Sequence, residues 1–175
     1  MHHTAHRIEA LFERMQQPVV ENIIENYNPR DSATGLRARI SVLKKFQQML
    51  TTEIKAPRFT ALLISILTDS DADGQSVAAK NVQDLSLFRA ANTLQKRLGT
   101  GIILGRINQN ALLLIHSSHN DPVSRNAANR VRDSLGSLGG LVDAATDIHI
   151  NTMNLPANTS ISANEVVARL EALAN

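Results

Sequence analysis

The apolar residues of the chain fall into helical and strand-like patterns, and the clearest pattern is GIILGRINQNALLLI, from Gly101 to Ile115. Two apolar runs, Gly101–Ile107 and Ala111–Ile115, flank the polar triplet Asn108-Gln109-Asn110. Short aliphatic runs around an Asn-rich break predict a tight β-hairpin. Both arms are apolar at nearly every position, which predicts cover on both faces, as in the central part of an α/β sheet. The triplet then forms the tip of a buried hairpin. It carries no carboxylate, no glycine and no nucleophile.

The remaining elements follow in order. Ile8, Leu11, Phe12 and Met15 lie at i, i+3, i+4 and i+7, one face of a helix, and Pro18 interrupts it. Val20, Ile23, Ile24 and Tyr27 repeat that spacing. The turn cluster Asn28-Pro29-Arg30-Asp31-Ser32 divides the chain into an N-terminal helical segment, 1–30, and a domain, 31–175. The two N-terminal stripes pack either on their own domain or on a second copy.

From Thr34, the residues Leu36, Ile40, Leu43, Phe46 or Gln47, and Leu50 predict a helix. Asp31 or Ser32 caps it and Lys55-Ala56-Pro57 ends it. Phe59–Leu67 is a continuous apolar run, expected as a buried strand, and Thr68–Ser76 is a loop with three aspartates. Ala78–Leu98 predicts a long helix with Val82, Leu85, Leu87, Phe88, Ala91, Leu94 and Leu98 inward. After the hairpin, Ser124–Leu138 is amphipathic through Ala127, Ala128, Val131 and Leu135, and Gly139-Gly140 stops it. Asp147–Asn151 alternates like a strand; Ser162 or Asn164 caps a last helix with Val166, Val167, Leu170 and Leu173. The order α, β, α, β, β, α, β, α predicts an α/β (α+β) domain: a ferredoxin-like, cyclase-palm sheet with flanking helices.

Composition narrows the function. At 175 residues the chain suits one domain plus a short appendage. Aromatics make up 3%, with no Trp and one Tyr, so stacking of nucleic-acid bases is poorly provided for. The 18 basic and 16 acidic residues leave a net charge of +2, which is no nucleic-acid footprint. With no Cys there are no disulfides, thiolate metal sites or Cys nucleophiles. The apolar runs are too short for a bilayer, and the charged N-terminus lacks a signal-peptide core. A cytoplasmic, soluble chain without membrane insertion is expected. His2, His3 and His6 read as a solvated terminus rather than a metal cluster.

Two stretches carry a family resemblance. Asp31-Ser32-Ala33-Thr34-Gly35-Leu36-Arg37-Ala38-Arg39 resembles the D-x-L-T-G-L-x-N-R opening of the GGDEF (diguanylate cyclase) domain. Asp31, Thr34, Gly35, Leu36 and Arg39 match, whereas Ala33 and Ala38 depart. Arg106-Ile107-Asn108-Gln109-Asn110-Ala111-Leu112 resembles the signature hairpin R-Y-G-G-D-E-F, with only Arg106 matching strictly. The resemblance covers Asp31 to Asn175 and implies a module of bacterial cyclic di-GMP signalling, usually paired through its N-terminal helices.

The departures bear on activity. In an active member two glycines let backbone approach the nucleotide, because no Cβ intervenes; here they are Asn108 and Gln109. Acidic groups of the first strand and hairpin hold divalent metal against the triphosphate, since hard cations need oxygen anions. Ser65, Leu67, Asn110 and Ala111 stand at those positions. The inhibitory R-x-x-D motif would fall near Gly99–Ile102, which contains neither residue.

Other constellations are weaker. Asp69-Ser70-Asp71-Ala72-Asp73-Gly74 has calcium-loop spacing, but Lys80 stands where the bidentate Glu belongs, so a solvated acidic turn is expected. A shifted register would let Asp69 or Asp71 stand in for a lost metal ligand. His116-Ser117-Ser118-His119 lacks a third ligand other than His149, and no nucleophile elbow surrounds its serines. Arg37, Arg39, Lys44 and Lys45 read as a solvated basic face.

Three functions are therefore set against one another. The first is a catalytically inactive regulatory or protein-interaction domain, without cofactor or metal, whose partner is another protein or a second copy. The second is a receptor for GTP or cyclic di-GMP, with Arg106, Asn108, Gln109, Asn110, Asp69 and Asp71 around the degenerate pocket. The third is a metal-dependent enzyme using Asp69, Asp71 and Asp73.

Overall fold

A computed structural model describes residues 28–51, 58–68, 76–99, 102–118, 121–136, 146–156 and 159–173. Its elements are α1 (Arg39–Thr51), β1 (Arg58–Thr68), α2 (Val77–Leu98), β2 (Ile102–Arg106), β3 (Ala111–Ser118), α3 (Asp121–Gly136), β4 (Thr146–Leu155) and α4 (Ala163–Ala172). The four strands form one antiparallel sheet in the order β2-β3-β1-β4. The α+β, ferredoxin-like order expected from the sequence is present. Among the described residues no helix is long and apolar enough to cross a membrane.

β1 carries apolar residues at both parities because it serves two cores. Leu62, Ile64 and Ile66 point to the face covered by α2 and α3, where they meet Leu87, Leu94, Val131 and Leu135. Phe59, Ala61 and Leu63 point to the face covered by α1 and α4, against Val42, Phe46, Val166 and Leu170. Successive strand residues alternate between faces, so a strand covered on both sides must be apolar at both parities. β3 obeys the same rule, with Leu112 and Leu114 on one face and Leu113 and Ile115 on the other. Gln83 of α2 is one of the buried polar residues. Its Nε2 donates to the Ile66 carbonyl at 2.7 Å, and its Oε1 accepts from the Thr68 hydroxyl at 3.2 Å. Satisfied in this way, it ties α2 to the end of β1.

Four expectations need correction. β2 is an edge strand and only partly buried, so the hairpin has one central arm and one peripheral arm. α1 begins at Arg39, and Thr34–Leu36 instead form a turn. The helical face that meets the sheet is Val42, Phe46 and Leu50, which leaves Ile40 at 62% exposure. In α2, Leu85 and Phe88 are exposed at 45% and 44%, and Ala79, Gln83, Ser86, Leu87, Ala90, Ala91 and Leu94 face inward. Small residues let this helix approach the sheet closely, and hydrophobicity alone does not reveal that choice. Ser162 caps α4 as expected, accepting from the Glu165 amide at 3.2 Å. The N-terminal segment through Tyr27, the Asp69–Asp73 loop, His119 and Gly139-Gly140 lie outside the described residues.

Gly105 marks a close approach of α1 to the sheet. A Cβ there would lie 2.5 Å from Val42 Cβ and 2.9 Å from the Arg37 carbonyl oxygen. Gly105→Ala is expected to destabilise the domain by about 1–3 kcal/mol through overpacking, measured by urea unfolding. An unchanged midpoint would show that α1 does not sit this close.

His116 sits at the far end of β3, beside Leu98, Ala127, Arg130 and Val131. Its Nδ1 is buried without a hydrogen-bond partner. Burial, with Arg130 adding repulsion, lowers its pKa from the ordinary 6.5. The unfolded chain therefore takes up this proton first, and stability falls as pH drops below about 6.5. His116→Leu is expected to flatten that limb of a stability-against-pH curve; an identical slope in both proteins would count against the assignment.

Candidate functional site

The loop before α1 is a closed turn. Both the amide and the hydroxyl of Thr34 donate to Asp31 Oδ1, at 2.8 and 2.7 Å. The Gly35 amide donates to the Asp31 carbonyl and the Asp31 amide to the Leu36 carbonyl, each at 2.8 Å. Gly35 has φ +68°, a left-handed conformation that favours glycine. The Asp-x-x-Thr-Gly-Leu pattern is thus the chemistry of one turn. The turn docks on the hairpin, because the Arg106 amide donates to the Arg37 carbonyl at 2.9 Å.

Asn108, Gln109 and Asn110 form the tip between Ile107 and Ala111, closed by a 3.0 Å bond from the Ile107 amide to the Ala111 carbonyl. Asn108 Oδ1 accepts from the Asn110 amide at 3.1 Å, the short-range side-chain bond by which Asn shapes a turn. The Asn110 carbonyl accepts from the Ile66 amide at 2.8 Å, which fixes the tip to β1.

Arg106 holds this corner together. Its Nε donates to the Asn108 carbonyl at 3.0 Å, and Nη2 donates to the Gln109 carbonyl at 2.9 Å and to Asp84 Oδ1 at 2.7 Å. Nη1 lies 3.3 Å from both carboxylate oxygens of Asp31. A guanidinium has five N–H donors, and five acceptors surround this one. Its side chain is 13% exposed. Asp31 feels burial, which raises its pKa, but the Thr34 hydrogen bonds and the Arg106 charge outweigh it and hold the carboxyl below its ordinary 3.8. Arg106, expected as a ligand contact, is fully engaged within the fold.

Beside the tip lies a cleft of about 380 Å³, lined by Leu63, Ser65, Leu67, Asn108, Asn110, His149 and Glu171. Ser65 pairs with Ala111 on one side and with His149 on the other, so adjacent strands carry the lining residues. His149 Nε2 is 2.9 Å from Asp147 Oδ2. Arg39 Nη1 donates to the Ile107 carbonyl at 3.3 Å and lies 3.8 Å from Glu171 Oε1. On the other flank of the tip, Asp31, Arg39, Arg106, Asn108 and Gln109 border a hollow of about 300 Å³.

Arg106, Asn108, Gln109 and Asn110 thus come together as expected, whereas Asp69 and Asp71 lie outside the described residues. Asp84, Glu171 and Asp147 were not foreseen. Asp84 carries the one signal available in the sequence: a carboxylate beside the buried Gln83 and Leu87 of α2 needs a cation. Among the described residues, the lining of the cleft offers amides, a hydroxyl, an imidazole and one carboxylate, that of Glu171, where a divalent metal carrying a triphosphate takes several anionic oxygens; that set does not fit such a metal. Among the described residues no group of three or more His, Cys, Asp or Glu is placed to hold a metal ion.

No protein-family model and no curated protein matches the chain by sequence. Solved structures do match it. The GGDEF domain of FimX from Pseudomonas aeruginosa superposes with a TM-score of 0.61 at 18% identity, over 83% of this chain and 91% of that one. The diguanylate cyclase SiaD from the same organism, solved with its activator SiaC, gives 0.65 at 17%, over 97% of this chain and 65% of SiaD. The coiled coil and GGDEF domain of DgcB from Caulobacter crescentus, solved with c-di-GMP, gives 0.65 at 13%, over 95% and 87%. What is shared at these identities is the fold. The chain has a GGDEF-like fold, the one its two sequence motifs resemble.

Arg106→Ala would leave Asp31 and Asp84 facing each other across the gap. It is expected to cost about 3 kcal/mol in denaturant unfolding, the order for losing a largely buried charged partner. The stability that Asp31 contributes is present above pH 3.8 and is lost as pH falls through its lowered folded value. That acid-side loss should shrink in the variant; a variant as stable as the parent would refute the clamp.

Proposed function

We propose that the protein is a catalytically inactive GGDEF-like module of cyclic di-GMP signalling, acting through contact with another protein or with itself. One observation carries this reading: the composition of the cleft at the hairpin tip. The resemblance aligns Ser65, Leu67, Asn110 and Ala111 with the family's metal-holding acids, and Asn108 and Gln109 with its two glycines. Side chains at 108 and 109 obstruct the close backbone approach that glycine permits. Amides bind Mg²⁺ weakly, and without a cation nothing offsets the charge that develops as a hydroxyl attacks an α-phosphate. Arg106 offers no relief, since its donors are already taken.

The solved neighbours support the setting. SiaD is described with a protein activator, and DgcB with c-di-GMP. A second reading, a receptor that binds GTP or cyclic di-GMP without turnover, is favoured by the persistence of a cleft of about 380 Å³ lined by Ser65, Asn108 and Asn110. In that reading Asn110, Asn108 and Gln109 supply neutral hydrogen bonds in place of metal.

Incubation of the purified chain with millimolar GTP and Mg²⁺ or Mn²⁺, analysed by chromatography, is expected to yield no cyclic di-GMP. Detectable product would sink the proposal. Calorimetric titration with cyclic di-GMP and GTP separates the two readings, because heat of binding without turnover selects the receptor.

A further inference from the structure

The two edges of the sheet are built differently. β2 is five residues long and its outer edge is covered: Arg37 bridges to Gly105, and the Arg106 amide donates to the Arg37 carbonyl at 2.9 Å. β4, at the other edge, is ten residues long and pairs with β1 from Thr146 to Leu155 without a bulge. Edge strands are normally guarded by lysine, proline, a bulge or a covering segment. β4 contains no Lys, Arg or Pro, and Asp147 is its one carboxylate.

The register fixes which backbone groups of β4 face outward. The Ile66 amide donates to the Asn110 carbonyl, on the β3 side of β1. Bonded and non-bonded pairs alternate along an antiparallel ladder, so Leu63, Ser65 and Leu67 bond toward β4. Their partners Asn151, His149 and Asp147 turn their backbone groups inward, and Ile148, Ile150, Thr152 and Asn154 turn theirs outward. Among the described residues no hydrogen bond from another element reaches those outward groups. Ile148 and Ile150 are half-buried, at the rim of the core under α2 and α3.

We propose that β4 pairs with β4 of a second copy, antiparallel about a two-fold axis at Ile150, so that the two sheets become one. The inference rests on the reading that the protein acts through contact, and it names the surface and the partner. The strand's own sequence selects the occupant. A two-fold axis normal to the sheet sets residues of equal parity opposite one another, so outward groups meet outward groups. This register pairs the strand along its length from Thr146 to Asn154. Ile150 faces its counterpart and Ile148 faces Thr152, β-branched residues against β-branched residues. On the other face His149 meets Asn151 and Asp147 meets Met153, so no like charges are opposed. The half-buried isoleucines gain the cover that a single copy does not give them.

Sedimentation velocity over a range of concentrations is expected to show a monomer–dimer equilibrium. Residue-resolved hydrogen exchange should slow at Ile148, Ile150 and Thr152 as concentration rises, whereas His149 and Asn151 stay protected throughout. Thr152→Pro removes an outward N–H that a single copy does not use, and should weaken the dimer about tenfold with β1 exchange unchanged. Ile150→Cys, in a chain with no other cysteine, should cross-link on mild oxidation, whereas Asp147→Cys should not. The cross-link decides the register even where proline disturbs the strand. A monomer at every concentration, exchange at 148–152 indifferent to concentration, or cross-linking at 147 and not at 150 overturns the proposal. Synthesis of cyclic di-GMP would overturn the inactive reading and leave this dimer standing; a monomer without turnover would do the reverse.

Discussion

The guanidinium of Arg106 is the interaction on which the site depends. It joins three segments: the turn at Asp31, the helix at Asp84, and the hairpin tip through two backbone carbonyls. Each contact restrains a different element. The tip carbonyls converge on one cation, which fixes the path of Asn108 and Gln109. The carboxylates orient the turn before α1 and the flank of α2 around it. A planar fork with five donors suits this role, and a lysine could not span it. The cleft beside Ser65 inherits its shape from this arrangement, because the tip forms one of its walls.

The fold was largely legible in the sequence, and the reason is periodicity. β1 and β3 are covered on both faces, so their apolar runs stand out, and the order of elements follows from spacing alone. The faces of the helices were harder to read. Leu85 and Phe88 look like core residues by hydropathy, yet the sheet admits Ala90, Ala91 and Ser86 instead, because close packing selects volume as well as polarity. The site was legible in its members and not in its wiring. Arg106 could be singled out, but its partner Asp31 lies 75 residues away and Asp84 is 22 away, and no local pattern links them. Asp31 and Thr34 looked like motif residues for a resemblance. Their work is to close a turn.

Fold and chemistry are separable: one fold can carry many functions, and function resides in the groups placed on it. Here the structural parts of the resembled pattern are retained, in the Asp31–Leu36 turn and the arginine that grips it. Ser65, Asn108, Gln109 and Asn110 depart where close approach and metal charge would be needed.

The double service of β1 has a consequence for how the molecule comes apart. Its side chains alternate between the two helical layers, and its backbone pairs with β3 on one edge and β4 on the other. Neither layer owns a strand that could stay folded after the other has melted. The domain is therefore built to unfold cooperatively, as a single unit, with its two layers sharing one fate.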